Sequence, residues 1–148
     1  MRRLRVLGLS AHSVAGNAMS AEVTAAFPAL AGSLQQLTLS HCRIDVEAAD
    51  NALAPALAQA TGLVELGLGN NDLGPQGAQW LVPVFSALLH LRKVFLGACG
   101  LGVQGCMAVA HALKDRDGAL VDLAGNGVIS SSAEGSELYN MPGISARV

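Results

Sequence analysis

A short motif that recurs five times along the chain is the feature that most constrains its fold. Each copy has apolar residues in the spacing L-x-x-L-x-L, then a marker residue, then a further apolar residue. The markers are His12, Cys42, Asn71, Cys99 and Asn126, so the successive steps are 30, 29, 28 and 27 residues. Near-even spacing of this kind predicts a solenoid, in which each repeat packs only against its neighbours.

The motif L-x-x-L-x-L-x-x-N/C-x-L resembles the leucine-rich repeat over roughly residues 4–128. The long period and the Cys42, Asn71, Cys99, Asn126 alternation resemble the ribonuclease-inhibitor subtype, although His12 and Gly118 depart from the pattern. The resemblance implies an α/β fold: a short horseshoe-shaped solenoid with a parallel concave sheet and helices on its convex side. We expect a solenoid domain at residues 1–128, with strands at 5–10, 35–40, 64–69, 92–97 and 119–124.

Prolines interrupt three of the segments between the predicted strands, at Pro28, Pro55 and Pro83. Proline inside a helix removes a backbone hydrogen bond. We therefore expect kinked or late-starting helices there, and an uninterrupted helix only at residues 104–116. From Ile129 the sequence is rich in Ser and Gly without an apolar period, which predicts a C-terminal tail at residues 129–148. Tyr139 and Met141 are its only plausible anchors.

The marker residues are predicted to form a ladder that satisfies the backbone where each strand turns. An amide side chain both donates and accepts hydrogen bonds, so Asn71 and Asn126 can bond backbone N–H and C=O groups at once. Cys42 and Cys99 fill the same position as small, weak donors.

The outward-facing strand positions predict the concave surface, which solenoids commonly use for binding. Its three columns are Val6, Gln36, Glu65, Lys93 and Leu120; Gly8, Thr38, Gly67, Phe95 and Asp122; and Ser10, Ser40, Gly69, Gly97 and Ala124. Glu65 and Lys93 are expected to pair across adjacent strands. Phe95 is either an anchor for a partner or packed against Thr38 or Lys93. The candidate partner-binding residues are Phe95, Glu65, Lys93, Gln36, Thr38 and Asp122.

Composition and spacing argue against several function classes. A net charge of −2 implies no general affinity for nucleic acid, and no apolar run approaches the 18 residues typical of a membrane span. Gly100, Gly102 and Gly105 spell G-x-G-x-x-G, but LGVQGC at 101–106 is the counterpart of LGPQGA at 73–78, so two of these glycines, Gly102 and Gly105, belong to the repeat. The histidines and cysteines show neither metal-ligand spacing nor a nucleophile beside a base. We expect no cofactor, no small-molecule substrate and no enzymatic activity.

The cysteines and the N-terminus bear on the compartment. Cys42 and Cys99 lie two repeats apart, too far for a disulfide, which predicts reduced, buried thiols and an intracellular protein, cytoplasmic or cytoskeletal and axonemal. Arg2, Arg3 and Arg5 resemble a mitochondrial presequence, which is the alternative. Leu4 is in register with the later repeats, which favours a first strand with Leu4 in the core.

The resemblance implies a non-catalytic protein–protein interaction or scaffold module. It is either an accessory subunit of a larger intracellular assembly or a fragment of a longer repeat protein. The alternative is a regulatory inhibitor or sensor region resembling ribonuclease inhibitor or NOD-like receptors, to which a short, glycine-rich concave face is less suited. The predicted strands at both ends lack caps, so we expect partners on the concave face and on the uncapped ends, and not an isolated monomer.

Overall fold

Six short parallel strands form one sheet in the computed structural model, which describes residues 4–9, 27–45, 47, 49–129, 131–142 and 144–147. The order of the strands in space follows their order in the sequence. They are β1 (Val6–Gly8), β2 (Gln36–Thr38), β3 (Glu65–Gly67), β4 (Lys93–Phe95), β5 (Ala119–Asp122) and β6 (Ile144–Arg147). This topology confirms the predicted α/β solenoid.

Helical segments occupy most of the crossovers that parallel neighbours require. Residues 27–31 are helical, and a π-helix (Ala49–Leu53) leads into α1 (Ala54–Ala58). The later helices are α2 (Gly77–Ala87), α3 (Gly102–Leu113) and α4 (Ala133–Tyr139). In the described part of the chain, no helix is long and apolar enough to cross a membrane.

The prolines affect the helices unequally. Pro55 lies in the first turn of α1, after the π-helix, which fits the expected late start. Pro83 lies inside α2, yet α2 is continuous from Gly77 to Ala87, so the expectation of a single uninterrupted helix at 104–116 is wrong. Gln79, whose carbonyl would accept from an N–H at position 83, is exposed together with Pro83. Water can therefore take the place of the missing donor.

The inward positions of β2 to β5 form the core. Each of these strands directs one apolar residue inward from its middle and a second just after its end. All eight are at most 2% exposed: Leu37, Leu39, Leu66, Leu68, Val94, Leu96, Val121 and Leu123. The prediction that Leu4 lies in the core is wrong, because Leu4 is 42% exposed beside β1, which among the described residues pairs with β2 alone. His12, Ser10, Arg2 and Arg3 lie outside the described residues.

The C-terminal segment has the regular structure that the sequence analysis did not expect. Ser132 caps α4 by accepting a hydrogen bond from the Gly135 N–H at 3.0 Å, and β6 then pairs with β5. Leu138 and Met141 are buried in the core, whereas Tyr139 is exposed. Of the two predicted anchors, Met141 is therefore confirmed and Tyr139 is wrong, and Leu138 and strand β6 also attach the segment to the sheet. The fifth strand is accordingly not an open edge.

Candidate interaction surface

The strand register brings the predicted outward residues into aligned columns. Gln36 lies opposite Glu65, Glu65 opposite Lys93, and Lys93 opposite Leu120. A second column aligns Thr38, Gly67, Phe95 and Asp122 in the same way. Gln36 and Lys93 are exposed, whereas Glu65 and Thr38 are half-buried. All six candidate partner-binding residues therefore lie on one face of the sheet.

Glu65 and Lys93 form an ion pair across β3 and β4. The Lys93 Nζ lies 3.6 Å from the Glu65 Oε2, and both side chains are partly exposed to solvent. A pair of this kind contributes at most about 1 kcal/mol to stability. Its larger effect on the surface is that each charge already has a partner.

Phe95 is half-buried on this face. On the β3 side its neighbour in the register is Gly67, which is itself buried. A methyl group added to Gly67 would lie 3.3 Å from the Thr38 Cγ2, so the Thr38 side chain covers that glycine. The sequence suggests open space beside Phe95, because Gly67 and Gly97 flank it. The Thr38 side chain makes that space narrower.

Strand β6 adds residues to this face that sequence reasoning missed. Ser145 lies opposite Leu120, and Arg147 opposite Asp122. The Asp122 carboxylate also accepts a hydrogen bond from the Ala124 N–H at 3.1 Å. The acidic side chain is therefore held at the end of β5 beside a basic residue. The sequence signal for β6 is the alternation of apolar and polar residues in ISAR, at Ile144–Arg147. Four residues are too short a pattern to identify a strand.

The two marker asparagines make equivalent sets of four strong hydrogen bonds. The Asn71 Oδ1 accepts from the N–H groups of Cys42 and Ile44, both at 3.0 Å. Its Nδ2 donates to the carbonyls of Leu39 and Leu68, at 2.9 and 2.6 Å. Asn71 is 5% exposed, so these backbone groups have no ready access to water.

Asn126 makes the same set of hydrogen bonds two repeats further along the chain. Its Oδ1 accepts from Cys99 and Leu101, at 3.0 and 3.1 Å, and its Nδ2 donates to Leu96 and Leu123, at 2.7 and 2.8 Å. Each asparagine therefore completes the turn of the preceding repeat as well as its own.

The cysteines continue the same ladder with fewer bonds. The Cys42 thiol donates to the Leu9 carbonyl at 3.0 Å, and the Cys99 thiol donates to the Leu68 carbonyl at 3.2 Å. Burial raises the pKa of Cys99 to about 11, although the backbone N–H groups of Asn71 and Asn70 oppose the shift. Burial, with the nearby Cys99, raises the pKa of Cys106 to about 12. All three thiols are free and buried, and the two raised pKa values keep Cys99 and Cys106 protonated and unreactive at neutral pH.

The residue before each of the four described markers, Cys42, Asn71, Cys99 and Asn126, has left-handed backbone geometry. The φ angles are 58° at His41, 57° at Asn70, 53° at Ala98 and 73° at Gly125. Glycine and asparagine tolerate this region, whereas alanine is strained there. The sharp turn that needs the ladder thus imposes strain at Ala98.

Two further polar clusters border cavities on the described residues, one of them a cavity of about 640 Å³ at the turns, lined by Arg43, Asp45 and Asp72. On the convex side, His111 and Glu137 lie 3.7 Å apart beside a cavity of about 470 Å³ between α3 and the C-terminal segment. Among the described residues, no three His, Cys, Asp or Glu side chains gather where they could hold a metal ion.

Comparison with known proteins supports the repeat architecture. No protein-family model matches the chain. The chain is 37% identical over 82 residues to the cattle (Bos taurus) NACHT, LRR and PYD domains-containing protein 5, a match that spans 55% of this chain and 7% of the cattle protein. The tropomodulin C-terminal domain of Caenorhabditis elegans has a similar structure, with a TM-score of 0.59 at 15% identity. That similarity covers 91% of this chain and 79% of the worm domain.

The chain has a leucine-rich-repeat fold. The cattle protein carries leucine-rich repeats in its name, and the worm domain has a similar fold across nearly all of the chain. The parallel sheet and the marker ladder provide the matching structure.

Proposed function

We propose that this chain is a non-catalytic protein–protein interaction module. It is a scaffold or accessory subunit of a larger assembly, or part of a longer repeat protein. The observation that carries the proposal is the concave face, where Gln36, Lys93 and Leu120 are exposed on strands whose opposite sides are fully packed. A rigid sheet that holds side chains in fixed columns suits recognition of another protein. The partner-binding residues would be Phe95, Glu65, Lys93, Gln36, Thr38 and Asp122.

The ribonuclease-inhibitor-like subtype is part of this proposal. The steps of 27 to 30 residues between markers and the Cys42, Asn71, Cys99, Asn126 ladder support it. We also propose residues 1–128 as the repeat solenoid and residues 129–148 as a segment that closes its end. Three free, buried cysteines support an intracellular location, cytoplasmic or cytoskeletal.

The outer edge of β1 is a second proposed contact surface. Leu4 and Val6 are 42% and 58% exposed there. Because Arg5 and Leu9 make their backbone hydrogen bonds to the β2 side, the alternation along a strand turns the backbone groups of Val6 and Gly8 outward. An edge of this kind favours pairing with another chain or segment.

A regulatory inhibitor or sensor region is the second candidate function. The similarity to part of a cattle protein named for NACHT, LRR and PYD domains supports it, because that protein's name combines leucine-rich repeats with other domains. Both candidates use the repeat for contact and differ in what the contact controls.

Site-specific photo-crosslinking tests the proposed surface. A photoreactive residue replaces either Gln36, exposed on β2, or Gln79, exposed on the convex helix α2, in cells that express the protein. Protein adducts are expected from position 36 and not from position 79. Adducts from position 79 alone would place the contact on the convex side, and adducts from neither position would count against both surfaces.

A further inference from the structure

The charges on the concave face cancel within the described residues. Glu65 is paired with Lys93, and Asp122 lies beside Arg147 in the register of β5 and β6. A charged partner segment placed here would lose hydration, and beside each charge of opposite sign it would meet a charge of its own sign one strand away. Such desolvation is costly. The face therefore selects against strongly charged partner segments.

The apolar part of the same face is concentrated on β4 and β5. Phe95 and Leu120 are diagonal neighbours, because Lys93 lies opposite Leu120 and Phe95 opposite Asp122. Diagonal neighbours on adjacent strands are about 7–8 Å apart, within reach of an aromatic side chain. Leu120 is 38% exposed, and Phe95 is half-buried and so already fixed in place. Rigid aromatic anchors beside aliphatic groups are typical of binding hot spots.

We propose that this face binds an uncharged peptide segment of another protein, which packs an apolar side chain on Phe95 and Leu120. This inference rests on the proposed interaction function and specifies the chemistry of the partner. Gln36 and Ser145 flank Glu65, Lys93 and Leu120 on either side in the same column. Their polar groups can hydrogen-bond the backbone of the bound segment. Apolar contact, and not ion pairing, supplies the affinity.

Peptide selection followed by titration tests the proposal. A phage-displayed library of random peptides is selected on the immobilised chain, and enriched peptides are titrated by fluorescence anisotropy at low and high salt. We expect apolar peptides without net charge, whose affinity changes little with salt. Phe95→Ala should weaken binding by about thirtyfold and Leu120→Ala by about tenfold.

Matched variants make the result specific to this surface. Leu89→Ala is the control for Leu120→Ala, because Leu89 is a 70% exposed leucine in the turn between α2 and β4. The double variant Glu65→Gln, Lys93→Gln removes the ion pair and measures what charge contributes, and it should weaken binding less than Leu120→Ala does. If Phe95→Ala lowers the melting temperature, Leu120→Ala decides the question alone.

Three contrary outcomes have different meanings. Enriched peptides that are charged, salt-sensitive and weakened by the Glu65, Lys93 double variant would overturn the apolar chemistry and leave the concave surface in use. A third class of peptide would bind less tightly to Leu89→Ala and equally well to every variant of the concave face. Such peptides would overturn both this inference and the proposed function. Failure to enrich any peptide would overturn the inference, while crosslinking from position 36 would still support the function.

Discussion

Replacing Asn71 with alanine should strongly destabilise the fold. The substitution leaves the N–H groups of Cys42 and Ile44 and the carbonyl of Leu39 without partners, whereas the Leu68 carbonyl keeps the Cys99 thiol as a donor. At about 1 kcal/mol for each of these buried, unsatisfied groups, near the low end of the known range, the loss is roughly 3 kcal/mol. That is a large part of the total stability of about 5–15 kcal/mol that is usual for a domain.

Guanidinium unfolding followed by tryptophan fluorescence measures this loss. Trp80 is the single tryptophan and is only 5% exposed, so its emission reports the packed state of α2. Asn51→Ala is the matched control, since Asn51 is exposed. Asn71→Cys should recover about a third of the loss, because Cys42 and Cys99 show that a thiol in this position can donate to one carbonyl of the preceding repeat, here that of Leu39. A loss for Asn71→Ala within about 0.5 kcal/mol of that for Asn51→Ala would refute the reasoning.

Three further predictions concern the core, the thiols and the strained turn. Leu96→Ala should destabilise by about 2–5 kcal/mol through a cavity, and a melting shift equal to that of a surface alanine variant would contradict it. Burial raises the pKa of Cys99 to about 11 and that of Cys106 to about 12, above the ordinary 9.0. The stability that these neutral, buried thiols contribute is therefore fully present below pH 9 and is lost as the pH rises toward 11 and 12. The unfolding free energy should fall across that window, and a flat profile would count against the burial argument. Ala98→Gly should stabilise by about 0.5–1 kcal/mol by relieving left-handed strain, with Gly125→Ala acting in the opposite direction; thermal melts that rank the pair the other way would show that the turn is not strained.

The repeated part of the fold was accessible from sequence because its signal is local and is copied several times. The inward residues of β2 to β5 and the marker residues recur at fixed offsets, and each copy supports the assignment of the others. The columns of the concave face follow directly, because side chains alternate along a strand. The Glu65–Lys93 pair is the plainest result of that alternation.

The C-terminal segment, the burial around Phe95 and the bonds of Arg116 depend on tertiary contacts, which leave no periodic pattern in the sequence. The C-terminal segment is attached by Leu138, Met141 and one short strand, which is too little apolar sequence to form a pattern. The partial burial around Phe95 depends on how Thr38 covers a glycine of the intervening strand. Arg116 binds the carbonyls of Phe85, Leu88 and Leu91 at the end of α2 from more than 20 residues away in sequence, and such pairing is fixed only by the fold.

The marker ladder gives the solenoid a direction. Asn71 satisfies the N–H groups of the turn at Cys42, and Asn126 satisfies those of the turn at Cys99. In each case the later repeat completes the earlier one. On a ribosome, where the chain emerges from its N-terminus, these two turns have to wait for 25 to 29 further residues before their partners arrive. Consolidation of the growing chain therefore runs one repeat behind its synthesis.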